Sequence, residues 1–297
     1  VERRKRLDQA LRELRPDLSW ARIRSAILRG QVHVDGVITR DPSTALASSS
    51  AIDFDPSRRA LRHARLDLPR LYEDEDILIV DKPAGLLSVP TDPALKHSED
   101  TVLRRVQEYA RHLHGRRAYA GVLHRLDRDT SGALAVALSR EAHRRGRQLF
   151  AAHQFDRWYL ALVHGVPQRQ RGRIEGHISD TYVGGRRRVV ADASRGRHAV
   201  THYRVIEAYG DAALLELQLE TGRQHQIRLH LQKLGHPLLG EAVYTDDVSP
   251  VRAPRQMLHA WRVAFPHPLR DNIVSAEAPL PADMARVRSA LSHRRSV

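Results

Sequence analysis

Between residues 77 and 265 the chain returns repeatedly to short runs that are apolar throughout or alternate apolar with polar. They are ILIVD at 77–81, ALAVAL at 133–138, WYLALVHGV at 158–166, AVTHYRVIEAY at 199–209, ALLELQLE at 213–220 and LHAWRVAF at 258–265. Runs of this length and period are strand signals. Few helices intervene. One is spaced by Val102, Val106, Tyr109 and Leu113, one is capped by Ser139, and QHQIRLHLQKLG at 224–235 reads as a third, ended by Gly235. A doubly wound fold needs a helix after nearly every strand. The pattern therefore predicts an α+β domain built on a mostly antiparallel mixed sheet. ILIV at 77–80 is far too short to span a bilayer, and no internal repeat is visible.

Residues 1–60 read as a separate small module. Leu7, Ala10, Leu11 and Leu14 recur at helical spacing, and a second helix capped by Ser19 carries Trp20, Ile23 and Ile27 on one face and stops at Gly30. QVHVDGVITR then alternates around Asp35-Gly36, a hairpin turn signal. Two short helices and a hairpin, with Arg22, Arg24 and Arg29 on the exposed side, resemble the small α-L RNA-binding domain of a ribosomal small-subunit protein. Ser50-Ala51 stands where that pattern has Gly-Asp before the last strand. A basic stretch, PSRRALRHARLDLPR at 56–70, holds the expected linker, 61–69, and the larger domain is 70–297.

Charge narrows the function. The 297 residues carry a formal net charge of +14, and most of the cations are arginine. The guanidinium fork binds phosphate bidentately, so this excess points to nucleic acid. A GC-rich genome explains the choice of Arg over Lys but not the size of the excess. With no cysteine there is no disulfide, thiolate metal site or Cys nucleophile. No Gly-rich phosphate loop and no G-x-S-x-G elbow occur, which argues against ATP, NAD and serine-hydrolase chemistry. His225 and His230, five apart on the expected helix, fall about 140° apart around it and so do not share a face for a metal. Nothing in the pattern demands more than a monomer. The chain begins at Val1 without a signal-peptide pattern, and the expectation is a cytoplasmic protein.

HRLDRDTSG at 124–132 sets one carboxylate, Asp127, between arginines and follows it with two hydroxyls and a glycine. Most glycosidases need two carboxylates, one of them a proton donor, and only Asp129 is near in sequence. A single carboxylate suits a leaving group that needs no external acid and never departs. Uracil on ribose is such a group, because it can leave as a delocalised anion, rotate and be recaptured through another atom.

The same residues carry a family resemblance. HRLDRDTSG is similar to the H-R-L-D-x-x-T-S-G signature of the RluA-type pseudouridine synthases. DKPAGLLSVP, WYLALVHG, TGRQHQIRLHLQKLGHPLLGEAVY and LHAWRVAFPHP resemble its other motifs, in order, over about residues 70–270. The resemblance implies a cofactor-free RNA isomerase with Asp127 acting at or near C1′ of the target uridine. It implies Arg228 as the partner of that Asp: burial raises a carboxylate's pKa and a neighbouring guanidinium lowers it. It implies Tyr159 lying against the base, and Arg125 filling the gap left by the extruded uridine. Read without the resemblance, Asp127 is an Asp capping a turn, Tyr159 a strand core aromatic, and Arg228 and Arg125 surface arginines. His124, Thr130, Ser131 and Gly132 shape the loop, with hydroxyls satisfying backbone groups and Gly132 taking a positive φ. Gly222 and Arg223 precede a helix whose free N–H groups could meet a phosphate. Arg157 stands where lysine is usual and keeps the charge.

The substrate expected first is ribosomal RNA and second transfer RNA, bound through Arg125, Arg223, His124, Thr130 and, on the small domain, Arg22 and Arg24. The alternatives are a non-catalytic RNA-binding or assembly protein on the same scaffold, and a nucleoside hydrolase using Asp127 with a second acid.

Overall fold

The computed structural model describes residues 5–28, 31–39, 42–47, 49–56, 66–92, 94, 99–115, 117–181, 187–190, 193–245 and 253–294. The chain divides into two compact units, Val1–Arg65 with Glu108–Ala118, and Leu66–Gln107 with Tyr119–Val297. Arg29, Gly30 and residues 61–65 of the expected linker lie outside the described residues.

In the first unit, α1 (Leu7–Leu14) and α2 (Trp20–Leu28) bury Leu7, Leu11, Ile23 and Ile27 in one core with Ala26, Val32 and Leu46. Ser19 does cap α2, its Oγ accepting from Arg22 N at 3.3 Å. Strands β1 (Val32–Val34) and β2 (Val37–Ile38) form the expected hairpin. Asp35 (φ 53°) and Gly36 (φ 79°) supply the left-handed pair its turn requires. β3 (Ile52–Phe54) adds to the other side of β1, and Asp35 Oδ1 accepts from Ala51 N at 2.8 Å. That bond fixes the approach to β3 with Ser50-Ala51 in place. Trp20 departs from the expected face: it is 47% exposed. As the first helical residue its side chain leans toward the helix N-terminus, past the last turn that could cover it.

The second unit is an α+β domain. Eleven of the described strands form one mixed sheet. They are β4 (Arg70–Glu73), β5 (Ile77–Lys82), β6 (Gly121–Val122), β7 (Ser131–Ala137), β8 (Asp156–His164), β9 (Arg171–Ser179), β10 (Val189–Val190), β11 (Gly196–Ala208), β12 (Ala212–Leu219), β13 (Leu258–Pro266) and β14 (Ile273–Glu277). The order runs β10-β9-β11-β12-β8-β13-β7-β5-β4, with β14 paired to β13 and β6 to β7. One pairing is parallel, His259 with Ser131 and Ala260 with Gly132, and it joins β13 to β7. β7 is buried along its whole length, so SGALAVA carries no polar face to solvent.

Among the described residues four α-helices serve this sheet: α3 (Val102–His114, whose C-terminal part is grouped with the first unit), α4 (Arg140–Ala151), α5 (Gln226–Lys233) and α6 (Ala282–Arg294). Ser139 caps α4 by accepting from Ala142 N at 3.1 Å, as its sequence predicts. One core cluster gathers Ile77, Ile79, Ala133, Ala135, Phe155 and Phe265, the two rings stacked at 4.2 Å. A second sets Met284, Val287 and Leu291 of α6 against Leu162, Leu214 and Met257. Leu229 of α5 packs with Ile178 and Ala199. Each such Val, Leu, Ile, Phe or Met side chain contributes about 1.5–3 kcal/mol by leaving water, and each alanine less. No helix among the described residues is long and apolar enough to cross a membrane.

Candidate active site

Asp127 sits on the loop between β6 and β7, and contacts on both sides hold that loop. Before it, Ser88 Oγ donates to Leu126 O at 2.7 Å and accepts from Leu126 N at 3.0 Å. After it, Lys82 Nζ donates to Arg128 O at 2.8 Å, and also to Pro83 O and Leu86 O at 2.9 and 2.7 Å. Lys82 is fully buried. Burial pushes its pKa down to about 7 against the pull of Asp129 and Asp127. The three carbonyls match the three N–H groups of its ammonium form.

Further along, Arg255 Nη1 donates to Asp129 O at 2.9 Å and Gln256 Nε2 to Thr130 Oγ1 at 3.0 Å. Ser131 Oγ lies 2.9 Å from His259 Nδ1. The Thr130 and Ser131 hydroxyls thus meet side chains, not the backbone groups expected of a self-satisfied turn, because β13 and the segment before it close over the loop. Gly132 takes the positive φ, +115°, and a Cβ there would stand 2.2 Å from Ala260 O. Only glycine lets β7 and β13 approach this closely.

The Asp127 carboxylate is partly buried and faces α5. Arg228 Nη1 lies 3.5 Å from Oδ2 and His225 Nε2 3.9 Å from Oδ1. Arg228 is the expected neighbour, but its stronger bonds go elsewhere. Its Nε and Nη2 donate to Glu241 at 2.7 and 2.6 Å, and its guanidinium lies 4.9 Å from the Tyr244 ring centroid. Glu241 itself is buried. Burial alone would raise its pKa, but the Arg228 bonds and charge and two backbone N–H groups hold it below the ordinary value. A buried anion therefore fixes the cation that faces Asp127. Nothing in the sequence marks Glu241, thirteen residues beyond Arg228, as its partner.

His225 corrects the helical-angle argument made for metals. α5 begins one residue later, and His225 is left-handed at φ 57°, so no helical phase relates it to His230. Its Nδ1 lies 2.5 Å from Tyr244 Oη, and burial pushes its pKa below the usual histidine value. Among the described residues no three side chains group as a metal site. The turn before α5 is tied by Gln226, whose Oε1 accepts from Arg223 N at 2.9 Å and Thr221 Oγ1 at 2.8 Å. The Arg223 N–H is thereby occupied, and it is not a free donor for phosphate.

A cavity of about 580 Å³ joins these groups. Asp127, Arg228, Tyr159, Arg125, Arg223, His124 and Thr130 all line it; Arg22 and Arg24 belong to the first unit and do not. Tyr159 is buried on β8, and burial raises its phenol pKa, which Arg157 lowers and Asp127 raises. Arg125 is exposed at the mouth. His124 is buried, its Nε2 accepts from Ala135 N at 3.1 Å, and burial pushes its pKa to about 3. It is a neutral brace whose ring is committed to the backbone. Among the described residues six arginines and two aspartates line the cavity, a balance suited to a polyanion.

Residues 76–233 match the family model described as RNA pseudouridylate synthase. The chain is 36% identical over 293 residues to the ribosomal large subunit pseudouridine synthase D of Zymomonas mobilis, covering 94% of this chain and 91% of that one. It is 34% identical to the protein of the same name from Pseudomonas aeruginosa, over 98% and 93% of the two chains. Human RNA pseudouridylate synthase domain containing 4 superposes with a TM-score of 0.63 at 25% identity, covering 75% of this chain and 92% of that one. The fold is thus that of an isomerase acting on RNA uridines. The chain belongs to the RNA pseudouridylate synthase family.

Proposed function

We propose that this pseudouridine synthase acts on ribosomal RNA, using Asp127 as its essential carboxylate and no metal or cofactor. The observation that carries the reading is the placement of Asp127 in a cationic cavity, facing Arg228, with Tyr159 on the same lining. The relatives named ribosomal large subunit pseudouridine synthase D, and the +14 charge, support the choice of ribosomal RNA. The target uridine leaves its stack, at a cost of a few kcal/mol. Tyr159 lies against the base, and Arg125 fills the vacated space. Asp127 acts at or near C1′, the N1–C1′ bond breaks with its electron pair on the uracil ring, and the ring turns. C5 then bonds to C1′, the C5 hydrogen is lost to water, and N1 takes up a proton.

Residues 1–60 form an α-L domain that adds affinity through Arg22 and Arg24, 61–69 a linker, and 70–297 the catalytic domain. The enzyme works as a cytoplasmic monomer.

The test uses ribosomal and transfer RNA transcripts carrying tritium at uridine C5, with the parent and Asp127→Asn. Tritium released from ribosomal RNA by the parent alone is the expected result. Release from transfer RNA only would overturn the substrate assignment. Equal release by the variant would overturn the role of Asp127, and no release despite salt-sensitive binding would favour a non-catalytic RNA binder.

A further inference from the structure

Of the two buried arginines that line the cavity among the described residues, Arg228 is paired and Arg157 has no counter-charge. Arg157 on β8 is only 6% exposed, its Nε makes no hydrogen bond, and among the described residues no carboxylate pairs with it. Its guanidinium lies 4.8 Å from the Phe150 ring centroid. Its electrostatic neighbours are His124, Tyr159 and the like-charged Arg223. Burial pushes its pKa below the usual arginine value, and Arg223 adds to that. The single cation–π contact does not repay the desolvation of an uncompensated buried charge. Space is kept for this group as well. A Cβ on Gly222 would stand 2.6 Å from Arg157 Nη1 and 3.2 Å from Phe150 Cζ.

We infer that Arg157, with Arg223 beside it, is a subsite for a backbone phosphate of the RNA next to the extruded uridine. Two guanidiniums with no carboxylate between them ask for a full negative charge, which a phosphodiester brings and a neutral base edge does not. This end of the cavity also reaches the surface: Gly222 and Arg147 are exposed and Arg223 half-buried. Arg157 and Tyr159 are two apart on one strand, so they share its cavity side about 6.5–7 Å apart. A base lying against Tyr159 would place its own backbone toward Arg157. The subsite is a positioning device: it fixes where the sugar stops relative to Asp127. The inference rests on the RNA-substrate reading above.

The probe is pentauridylate, whose uniform sequence makes the unknown target position irrelevant, alongside the same oligomer with neutral methylphosphonate linkages. Arg157→Met should weaken the charged oligomer about tenfold. The slope of log K against log salt should become shallower by about 0.7, the loss of one single-strand phosphate contact. The neutral oligomer should be unaffected, and Arg157→Lys should keep most of the slope. Gly222→Ala, which pushes the guanidinium aside while leaving its charge, should reproduce the loss and carries the test if Arg157→Met does not fold. An unchanged slope, or equal weakening of both oligomers, overturns the subsite. Tritium release from C5-labelled ribosomal RNA is measured separately. Its absence in the parent would withdraw the isomerase reading, while the salt slope would still decide the phosphate contact.

Discussion

Glu241→Gln tests whether the buried carboxylate behind Arg228 holds the site together. The wild-type pair has two short bonds, 2.7 and 2.6 Å, between side chains 1% and 8% exposed. The substituted amide would keep one oxygen but turn an N–H₂ toward a guanidinium that can only donate. Breaking one side of a buried ion pair costs about 3–5 kcal/mol. The retained oxygen places this variant near the lower figure, about 3 kcal/mol, or roughly 6–12 °C in Tm for a unit of this size.

Arg228 would then have Asp127 as its nearest anion, and its shift should slow tritium release by about 10²-fold, the usual cost of an ångström's misplacement. Acid sensitivity gives the sign. Glu241 is held below its ordinary value of 4.5, so its contribution is present above that pH and is lost as pH falls through the lower folded value. The variant should lack that part of the acid transition. Urea titration at pH 7 and at stepped pH from 6 to 3, with the release assay, reads all three. A variant within about 1 kcal/mol of the parent, releasing tritium at the parent's rate, would refute the reasoning.

Two further substitutions probe the loop that carries Asp127 and the strand that follows it. Lys82→Met leaves three carbonyls without their donor; at about 1 kcal/mol or more each, it should destabilise the domain by at least 3 kcal/mol in urea titration. Gly132→Ala puts a methyl 2.2 Å from Ala260 O at φ +115° and should lower Tm more than any other alanine exchange along β7, by thermal melting.

Much of this architecture was legible because its signals are local. The α4 cap is a serine at the right place, the β1–β2 turn is Asp-Gly, and β5, β7, β8, β11, β12 and β13 announce themselves by alternation or apolar runs. β9 did not, since Arg, Gly and His interrupt RGRIEGHIS and its burial comes from neighbours on both sides. α6 was not anticipated, although Met284, Val287 and Leu291 recur at helical spacing, because only these three large apolar side chains mark it. At the site, the HRLDRDTSG pattern led to Asp127 and QHQIR to Arg228. Glu241, Lys82 and the left-handed His225 were hidden for one reason: their importance lies in what they touch, and those partners are remote in sequence or set by backbone conformation.

The parallel seam between β13 and β7 has a consequence for biosynthesis. Without β13 the sheet is two separate pieces, β10-β9-β11-β12-β8 and β7-β5-β4 with β6. Asp127 precedes the second piece's β7, while Tyr159 and Arg228 belong to or follow strands of the first. A nascent chain emerging in order therefore exposes Asp127, Tyr159 and Arg228 before it owns a cavity. Only when residues 258–266 leave the exit tunnel and wedge between the halves do carboxylate and guanidinium meet. Such a late, long-range closure is slow to form; with Asp127 and Arg228 acting as proposed, it keeps an incomplete polypeptide inactive beside the ribosomal RNA proposed as its target.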